Sequence, residues 1–552
     1  MHSFKKILKI LGYSFLTLLA LLIVLFIYVS IVSVEHPPRV KEISCTHLQR
    51  IQPDSGLYTI KDCWFRKSNS GLYELYVEGN AFERGVINGK LTQELVQRQE
   101  DYFSEQIDKM IPSSFYKHFL KYFIGWFNRD LADNVTEESK KEIYGISLSA
   151  SNKYNYIGSN YQRILNYHAA HDIGHAIQNL ALVGCTSFGT WGSASADSTM
   201  IIGRNFDFYV GDKFSEDKIV AFFNPQGGNK YMTVTWGGFV GAVSGMNEYG
   251  LAVTINAAKS GIPSGSATPV SLVAREVLEY AKNIDEAMII LKKRKMFVSE
   301  SFLIASALDK KAVIIEKTPE GLSVYDPDKK YIVCTNHFQS DEEKKLPRNV
   351  QQINDGTSVY RYKRVMQLLD TAGNTVLKTA AILRDRKGLD NKDIGLGNEK
   401  AINQFISHHS IIFEPQKLLV WVSTSPWQLG KYVAYDLKKV FAIKGMKQNV
   451  EIAMLNLTIP ADPFLQTPEY VEFEKYRNYT HKIADNQIVN IDSFVNTNPL
   501  FYNTYVIAGN YLYKQKKFKE AEAYYKKALT KEVASKKEEN YITDRIKKCL
   551  KK

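Results

Sequence analysis

The stretch VGCTSFGTWG at 183–192, followed by GRNFDF at 203–208, indicates both the local fold and the candidate site of this chain. Both pieces have the composition of β-strands, and the small polar residues between them favour a hairpin bend. A bend centred near Ser195–Ala196 places Cys185 opposite Phe206. That register brings three functional side chains together: Cys185, Arg204 and Asp207.

This grouping indicates a catalytic cysteine. An adjacent cation lowers the pKa of a thiol and favours the thiolate, and a carboxylate can orient a neighbouring amine. No local motif ties a histidine to Cys185. Cleavage of the Gly184–Cys185 bond would give Cys185 a free α-amine with a pKa near 8, which can accept the thiol proton. Gly184 has no side chain to hinder a strained turn at that bond. The alternative is an inert, buried thiol.

Six segments resemble the isopenicillin-N acyltransferase-like branch of the N-terminal-nucleophile (Ntn) hydrolases. Choloylglycine hydrolases, penicillin V acylases and acid ceramidase are more distant relatives of that branch. The resemblance covers roughly residues 70–445 and implies a four-layer αββα sandwich that attacks linear amide bonds. The segments are VEGNAFERGVINGKL (77–91), GCTSF (184–188), GRNFDF (203–208), GMNEYGLAVTIN (245–256), CTNHF (334–338) and SVYRYKR (358–364).

The resemblance also implies a role for each site residue. GCTSF is similar to the segment that carries the autocleavage site and the nucleophile, here Gly184 and Cys185. GRNFDF is similar to the element with the active-site Arg and Asp, here Arg204 and Asp207. The alternative for these two is a structural ion pair without a catalytic role. The remaining implied roles fall on Asn256 for the oxyanion hole, Asn336 as a second catalytic amide, and Arg361 as a further active-site arginine, with Arg364 as its alternative.

The N-terminal segment is predicted to be a membrane anchor. Residues 10–34 form a run of 25 without a charge, enough to cross a hydrocarbon layer of roughly 30 Å. Lys5, Lys6 and Lys9 precede it and place the N-terminus in the cytoplasm, so the rest lies on the periplasmic or extracellular side. A cleaved signal peptide is the alternative, although its apolar region is usually only about 7–15 residues.

The net charge of +13 is concentrated at the two ends of the chain. Residues 1–42 carry +3 and residues 514–552 carry +8, whereas 43–513 carry only +2. A basic helical tail is usually a solvated face, and we expect no nucleic-acid partner.

The cysteines and histidines suggest one disulfide and no metal. Cys45 and Cys63 are close enough in sequence to pair in an oxidising compartment. Three histidines share a helical face, yet no carboxylate or cysteine completes a ligand set, and we expect neither metal nor cofactor. The unpaired cysteines are Cys185, Cys334 and Cys549, and the histidines are His168, His171 and His175.

The chain alternates between helical and β-rich stretches, which indicates an α+β layered sandwich. The segment 498–532 resembles one tetratricopeptide (TPR) unit, with a capping helix after it; a plain helical hairpin is the alternative. The expected segments are a cytoplasmic stub and transmembrane anchor (1–36), a linker (37–70), the N-terminal helical part of the hydrolase unit (71–184), the catalytic core (185–445), a helical linker (446–497) and a TPR-like tail (498–552).

The sequence is compatible with three functions. The first is a membrane-anchored, self-processing cysteine hydrolase or acyltransferase acting on a small-molecule amide with a hydrophobic acyl group. The second is a membrane-tethered scaffold with a degenerate hydrolase fold, whose TPR-like tail binds a protein partner. The third is a conventional Cys–His protease, which depends on one particular histidine.

Overall fold

The computed structural model describes residues 2–110, 113–177, 182–209, 211–259, 261, 263, 265–369 and 373–552. Its helices are α1 His2–Val32, α2 Ala81–Leu91, α3 Gln93–Met110, α4 Ser114–Phe127, α5 Leu131–Asn134, α6 Glu137–Ser147, α7 Asn160–Ile177, α8 Val270–Tyr280, α9 Ile284–Lys293, α10 Pro347–Asp355, α11 Ser358–Leu369, α12 Val376–Leu383, α13 Leu437–Val440, α14 Pro468–Ala484, α15 Ile491–Thr497, α16 Tyr502–Lys514, α17 Phe518–Ala528 and α18 Lys536–Leu550.

The strands form two sheets. Within the described residues, the first sheet has eleven strands in the order β1-β2-β3-β4-β8-β9-β10-β11-β12-β13-β14, and the second has the order β15-β6-β7-β16-β17-β18, with β5 paired to β7. The strands are β1 Ile51–Asp54, β2 Leu57–Ile60, β3 Cys63–Lys67, β4 Tyr73–Gly79, β5 Leu182–Val183, β6 Thr186–Thr190, β7 Ile201–Tyr209, β8 Ile219–Pro225, β9 Tyr231–Thr235, β10 Ser244–Asn247, β11 Leu251–Ala257, β12 Glu300–Ser306, β13 Lys311–Lys317, β14 Leu322–Tyr325, β15 Tyr331–Cys334, β16 Ser407–Glu414, β17 Leu419–Ser423 and β18 Tyr432–Asp436.

The sheets pack face to face between two layers of helices. Along β8, Val220 and Phe222 enter the core shared with the second sheet, whereas Ala221 and Phe223 face helices α2, α3, α8 and α9. This alternation follows from the two-residue period of a strand. Helices α11 and α12 cover the outer face of the second sheet with Val365 and other apolar side chains. The predicted αββα sandwich of an α+β chain is therefore confirmed.

The segment before the predicted cleavage site is part of this core. Strand β4 pairs in parallel with β8, and Asn80 caps α2 by accepting a hydrogen bond from the Glu83 N–H at 3.1 Å. Helix α2 packs closely on α6 because a Cβ on Gly85 would lie 2.1 Å from the Glu142 carbonyl oxygen. The motif at 77–91 thus fixes a strand, a capped turn and a tight helix contact.

Helix α1 is long and apolar enough to cross a membrane, and its side chains are exposed. Both a membrane anchor and a signal sequence have these properties. Near its C-terminal end, the Phe26 ring lies 5.3 Å from the Tyr122 ring of α4.

The C-terminal helices form where the sequence predicted a helical hairpin and a capping helix. Helices α16 and α17 pack tightly at Gly509, where a Cβ would lie 2.7 Å from the Tyr525 ring. Helix α18 follows and buries Ile542. A relationship to tetratricopeptide repeats stays a prediction.

Three local expectations were wrong. The stretch expected as a linker contains β1, β2 and β3, whose apolar residues extend the first sheet. The apolar pattern around 268–293 predicts one continuous helix, but the structure breaks it between α8 and α9, where Asn283 caps α9. Cys45 and Cys63 are free thiols: Cys45 packs with Phe82 and Val86, and Cys63 lies in the main helix–sheet core.

Candidate active site

The hairpin of β6 and β7 has the register predicted from the sequence. Ser187 pairs with Arg204, and the Gly184 N–H donates to the Asp207 carbonyl at 3.1 Å. The Cys185 Sγ lies 3.7 Å from Arg204 Nη2 and 3.8 Å from the Asp207 carbonyl oxygen. The hairpin therefore brings the thiol, the guanidinium and the Asp207 backbone together.

The thiol of Cys185 is protonated in the intact chain. Only 1% of the residue is exposed, and burial raises its pKa to about 11 although Arg204 acts in the opposite direction. The expectation that the neighbouring cation favours a thiolate is wrong for the uncleaved protein, because removal from water outweighs the attraction of one guanidinium.

Arg204 is held rigidly by neutral partners. Its Nη1 donates to the Ser244 hydroxyl and its Nη2 to the Ile255 carbonyl. The guanidinium carbon lies 4.4 Å from the centre of the Phe206 ring. Burial lowers the pKa of Arg204. Its hydrogen bonds thus aim the guanidinium at Cys185 rather than at the Asp207 carboxylate.

The Asp207 carboxyl group has its own set of partners. Its Oδ1 accepts a hydrogen bond from the Ser407 hydroxyl, and its Oδ2 accepts one from Gln404 Nε2 at 3.2 Å. Burial raises the pKa of Asp207 to about 7. This carboxyl group can therefore change its protonation state near neutral pH.

Gln404 is a site residue that sequence reasoning missed. Its Nε2 donates to the Gly184 carbonyl oxygen at 2.8 Å as well as to Asp207. A Cβ on Gly184 would lie 2.5 Å from Gln404 Nε2, so the glycine is needed for this close approach. Gln404 is 220 positions from Gly184, and no local motif in the sequence marks it.

Arg361 holds the other side of the candidate cleavage site. Its Nη1 donates to the Cys185 carbonyl at 2.6 Å and to Thr186 Oγ1 at 2.9 Å, and its Nη2 donates to Asn336 Oδ1 at 2.7 Å. Burial lowers the pKa of Arg361 to about 10. Arg364 instead pairs with Asp385 at 2.8 Å, so Arg361 is the arginine that reaches the cysteine.

The two asparagines lie next to this region, each partly committed to the backbone. Asn256 Nδ2 donates to the Cys334 carbonyl at 3.0 Å, and its Oδ1 accepts from the Ser187 hydroxyl at 2.7 Å. Asn336 Nδ2 donates to the Ala257 carbonyl at 2.8 Å. Because an amide nitrogen has two N–H donors, each asparagine has a second N–H beyond the one that these contacts use.

Comparison with known proteins finds a family similar to the part of the chain that follows the cysteine. Residues 194–424 match the family model of acyl-coenzyme A:6-aminopenicillanic acid acyl-transferase. This chain resembles that acyltransferase family. The matched range includes Arg204, Asp207, Asn256, Asn336 and Arg361 and begins just after the segment that contains the cysteine.

Curated relatives are distant and longer than the matched region. An uncharacterized protein of Archaeoglobus fulgidus is 23% identical over 48% of this chain and 46% of its own length. Protein dcd1A of Dictyostelium discoideum is 22% identical over 39% of this chain and 51% of its own length. The chain thus spans about half the length of these relatives.

This chain is also similar to a solved structure, that of a Caenorhabditis elegans N-acylethanolamine-hydrolyzing acid amidase ortholog. It is 19% identical, with a TM-score of 0.31, over 42% of this chain and 93% of its own.

A buried polar network extends from Arg204 into this core. The Ser244 hydroxyl is 2.8 Å from His409 Nε2, and His409 Nδ1 is 2.9 Å from His408 Nδ1. Burial lowers the pKa of both histidines well below the usual value, and burial lowers the pKa of nearby Lys218 to about 7. These histidines reach the thiol only through Ser244 and Arg204, a geometry that does not favour a conventional Cys–His pair.

The acid Glu300 is a further buried group that the sequence did not single out. Neither carboxyl oxygen has a hydrogen-bond partner among the described residues. Burial raises the pKa of Glu300 well above its usual value, so the group is neutral.

Of the three histidines considered as metal ligands, His168 forms hydrogen bonds within the fold. His168 Nδ1 pairs with the Ile164 carbonyl at 2.8 Å, and its Nε2 accepts from the Val240 N–H at 2.9 Å. The side chains of His171 and His175 lie outside the described residues. In the described ranges, no group of three metal-ligating side chains occurs.

Proposed function

We propose that this protein is a self-processing cysteine amide hydrolase or acyltransferase with Cys185 as its nucleophile. The observation that carries the proposal is the way the Gly184–Cys185 peptide is held. Gln404 donates to the Gly184 carbonyl at 2.8 Å, and Arg361 donates to the next carbonyl at 2.6 Å. The family match over 194–424 supports amide hydrolysis or acyl transfer as the type of reaction.

The first step is cleavage of the chain itself. The Cys185 Sγ attacks the carbonyl carbon of Gly184, and Gln404 stabilises the negative charge that develops on the carbonyl oxygen. The Gly184–Cys185 C–N bond breaks, the thiol proton moves to the departing nitrogen, and a thioester links the two residues. Water then hydrolyses the thioester to give a Gly184 carboxylate and a free Cys185 thiol.

The second step is turnover of substrate by the new N-terminal residue. The α-amine of Cys185, with an ordinary pKa near 8, accepts the thiol proton, and Asp207 orients that amine. The thiolate attacks an amide carbonyl, and the unused N–H groups of Asn256 and Asn336 stabilise the oxyanion. The protonated α-amine gives its proton to the departing amine as the C–N bond breaks and a thioester forms on Cys185. Water or another acceptor then takes the acyl group, which frees the Cys185 thiol.

The substrate in this proposal is a linear, non-peptide amide with a hydrophobic acyl group. Helix α1 serves as an uncleaved anchor, with the lysines at positions 5, 6 and 9 on the cytoplasmic side. The catalytic core then lies on the periplasmic or extracellular side of the membrane. No cofactor takes part in either step.

Intact mass and N-terminal sequencing of the purified protein test the proposal. We expect a chain that begins at Cys185 in the parent and in Cys334→Ala, a matched change at another buried cysteine, but not in Cys185→Ala. The processed chain should react with iodoacetamide at Cys185 near neutral pH. A single intact chain with full amidase activity would contradict self-processing, and an active Cys185→Ala variant would contradict the nucleophile.

A further inference from the structure

The C-terminal helices are docked on the catalytic core by apolar and polar contacts. The Phe405 ring of the core lies 4.5 Å from the Phe473 ring of α14, in a cluster that also includes Trp427. Asn498 forms two hydrogen bonds with the Leu396 backbone, at 3.3 and 2.8 Å. The core therefore covers one apolar face of these helices.

A cleft of about 220 Å³ remains between the helices and the core. Complete ligand sites usually measure roughly 300–1,000 Å³, so the cleft can hold one part of a substrate. Its lining combines aromatic and polar side chains, with core residues on one side and C-terminal residues on the other. The aromatic side chains are Tyr209 and Phe405 from the core, Phe473 and Tyr476 from α14, and Phe501 just before α16, whereas Gln404, Arg477 and His481 are among the polar ones.

The cleft adjoins the reacting groups of the proposed mechanism. Gln404 lines it and also donates to the Gly184 carbonyl. Tyr209 lines it too, and it follows Asp207 by two positions on β7, which places both side chains on the same face of the strand. Gln404 therefore lies between a molecule in the cleft and the Gly184–Cys185 peptide bond.

One polar group in the cleft has an unused acceptor. Glu399 Oε1 accepts a hydrogen bond from the Tyr502 hydroxyl at 3.1 Å, but Oε2 is buried without a partner in the described part of the chain. Burial raises the pKa of Glu399 to about 7. A buried acceptor without a partner is costly, and a ligand hydroxyl or N–H would satisfy it.

We infer that α14 and α16 form one wall of the substrate cleft, and that this cleft takes an apolar acyl group carrying a hydroxyl or amide N–H. The inference rests on the proposed function and assigns the C-terminal helices to substrate selection rather than to binding a protein partner. The cleft suits such an acyl group because aromatic side chains surround a single carboxyl group.

The test compares Asn503→Trp, which fills the cleft, with Asn478→Trp, the same change at an exposed position of α14. The probes are acetyl, dodecanoyl and hydroxydodecanoyl amides of aminomethylcoumarin, used with the full-length processed protein. Asn503→Trp should raise KM for the dodecanoyl amide by about tenfold or more and change acetyl-amide hydrolysis by less than about twofold. Asn478→Trp should match the parent.

A second variant, Glu399→Met, removes the acceptor while keeping an apolar side chain of similar length. We expect it to lose the preference of the parent for the hydroxydodecanoyl over the dodecanoyl amide. Unchanged selectivity in both variants, with processing intact, would overturn the inference and leave the proposed function standing. A parent without a chain beginning at Cys185 and without amidase activity would contradict the proposed function, and the inference with it.

Discussion

At the scale of single residues, burial controls the chemistry of this site. Cys185, Arg204, Asp207 and Arg361 are all buried, and each has a pKa displaced toward its neutral form. The intact protein therefore holds a protonated, buried thiol next to a Gly184 carbonyl that accepts a hydrogen bond from Gln404. Reactivity toward other molecules should appear only after the α-amine of Cys185 is released.

Gln404→Met should slow self-cleavage by about 10²- to 10³-fold, the usual effect of removing one oxyanion donor. Methionine has a similar volume but cannot donate a hydrogen bond to the Gly184 carbonyl. The measurement is the fraction of chain beginning at Cys185 over time after synthesis. Gln428→Met, at a buried glutamine that bonds the Leu383 carbonyl instead, is the control. Equal rates in both variants would exclude a role for Gln404.

Asp207→Asn should become more stable than its reference as pH rises, when both carry Cys185→Ala to keep the chain intact. Asp207 has a folded-state pKa of about 7 against an ordinary 3.8, so the folded chain keeps a proton that the unfolded chain releases. Asparagine has no such titration. The difference in unfolding free energy should grow between about pH 4 and pH 7 by on the order of 4 kcal/mol, then stay constant.

Urea unfolding at several pH values measures this difference. Asp341→Asn is the control, because the pKa of that exposed carboxyl is lowered by Lys344, and no such growth is expected. A flat difference for Asp207→Asn across this range would show that its carboxyl group is ionised throughout.

At the scale of elements, the segments on either side of the proposed cleavage site share one sheet. Strand β4 precedes this site and β8 follows it, and the two pair from Tyr73↔Ile219 to Gly79↔Pro225. Glu142 of α6, before the site, contacts Arg275 of α8, after it. Strands β4 and β8 are buried along most of their length, so cleavage would sever the chain without separating the layers.

The two fragments should therefore co-elute on size-exclusion chromatography in detergent and separate only under denaturing conditions. Glu142→Ala removes the buried carboxylate that Arg84 and Arg275 share, although Glu279 still lies 3.7 and 3.3 Å from them. The loss should destabilise the complex by about 3 kcal/mol, the lower end of the usual range for breaking a buried pair. Glu137→Ala, at an exposed glutamate of the same helix, should have little effect. Elution of the fragments as separate peaks in native buffer would refute this account.

At the scale of the whole molecule, the chain combines an apolar N-terminal helix, a nearly neutral four-layer core and a basic helical end. The C-terminal helices share a hydrophobic cluster with the core. Lys392 and Lys400 of the core both pair with Glu532, each at 2.6 Å. The basic charge of this region thus sits on the outer surface of helices whose inner surface is covered.

Much of the fold followed from local patterns along the chain. The hairpin register of Cys185, Arg204 and Asp207 was predictable because β6 and β7 are consecutive antiparallel strands, and a shift by one residue would turn every side chain to the opposite face. The N-terminal apolar helix was predictable from length alone. The break between α8 and α9 was missed because the apolar pattern continues across it, and only the Asn283 cap shows where the backbone turns.

Local sequence patterns were enough to identify Cys185, its strand partners and the layered α+β class, since these depend on residues close together in the chain. Three features could be found only in the folded chain. They are the contact between Gln404 and Gly184, the protonated state of the thiol, and the position of the C-terminal helices next to the cleft that Gln404 lines. The physical reason is that each of these depends on burial or on contacts between residues far apart in sequence, which no local spacing encodes.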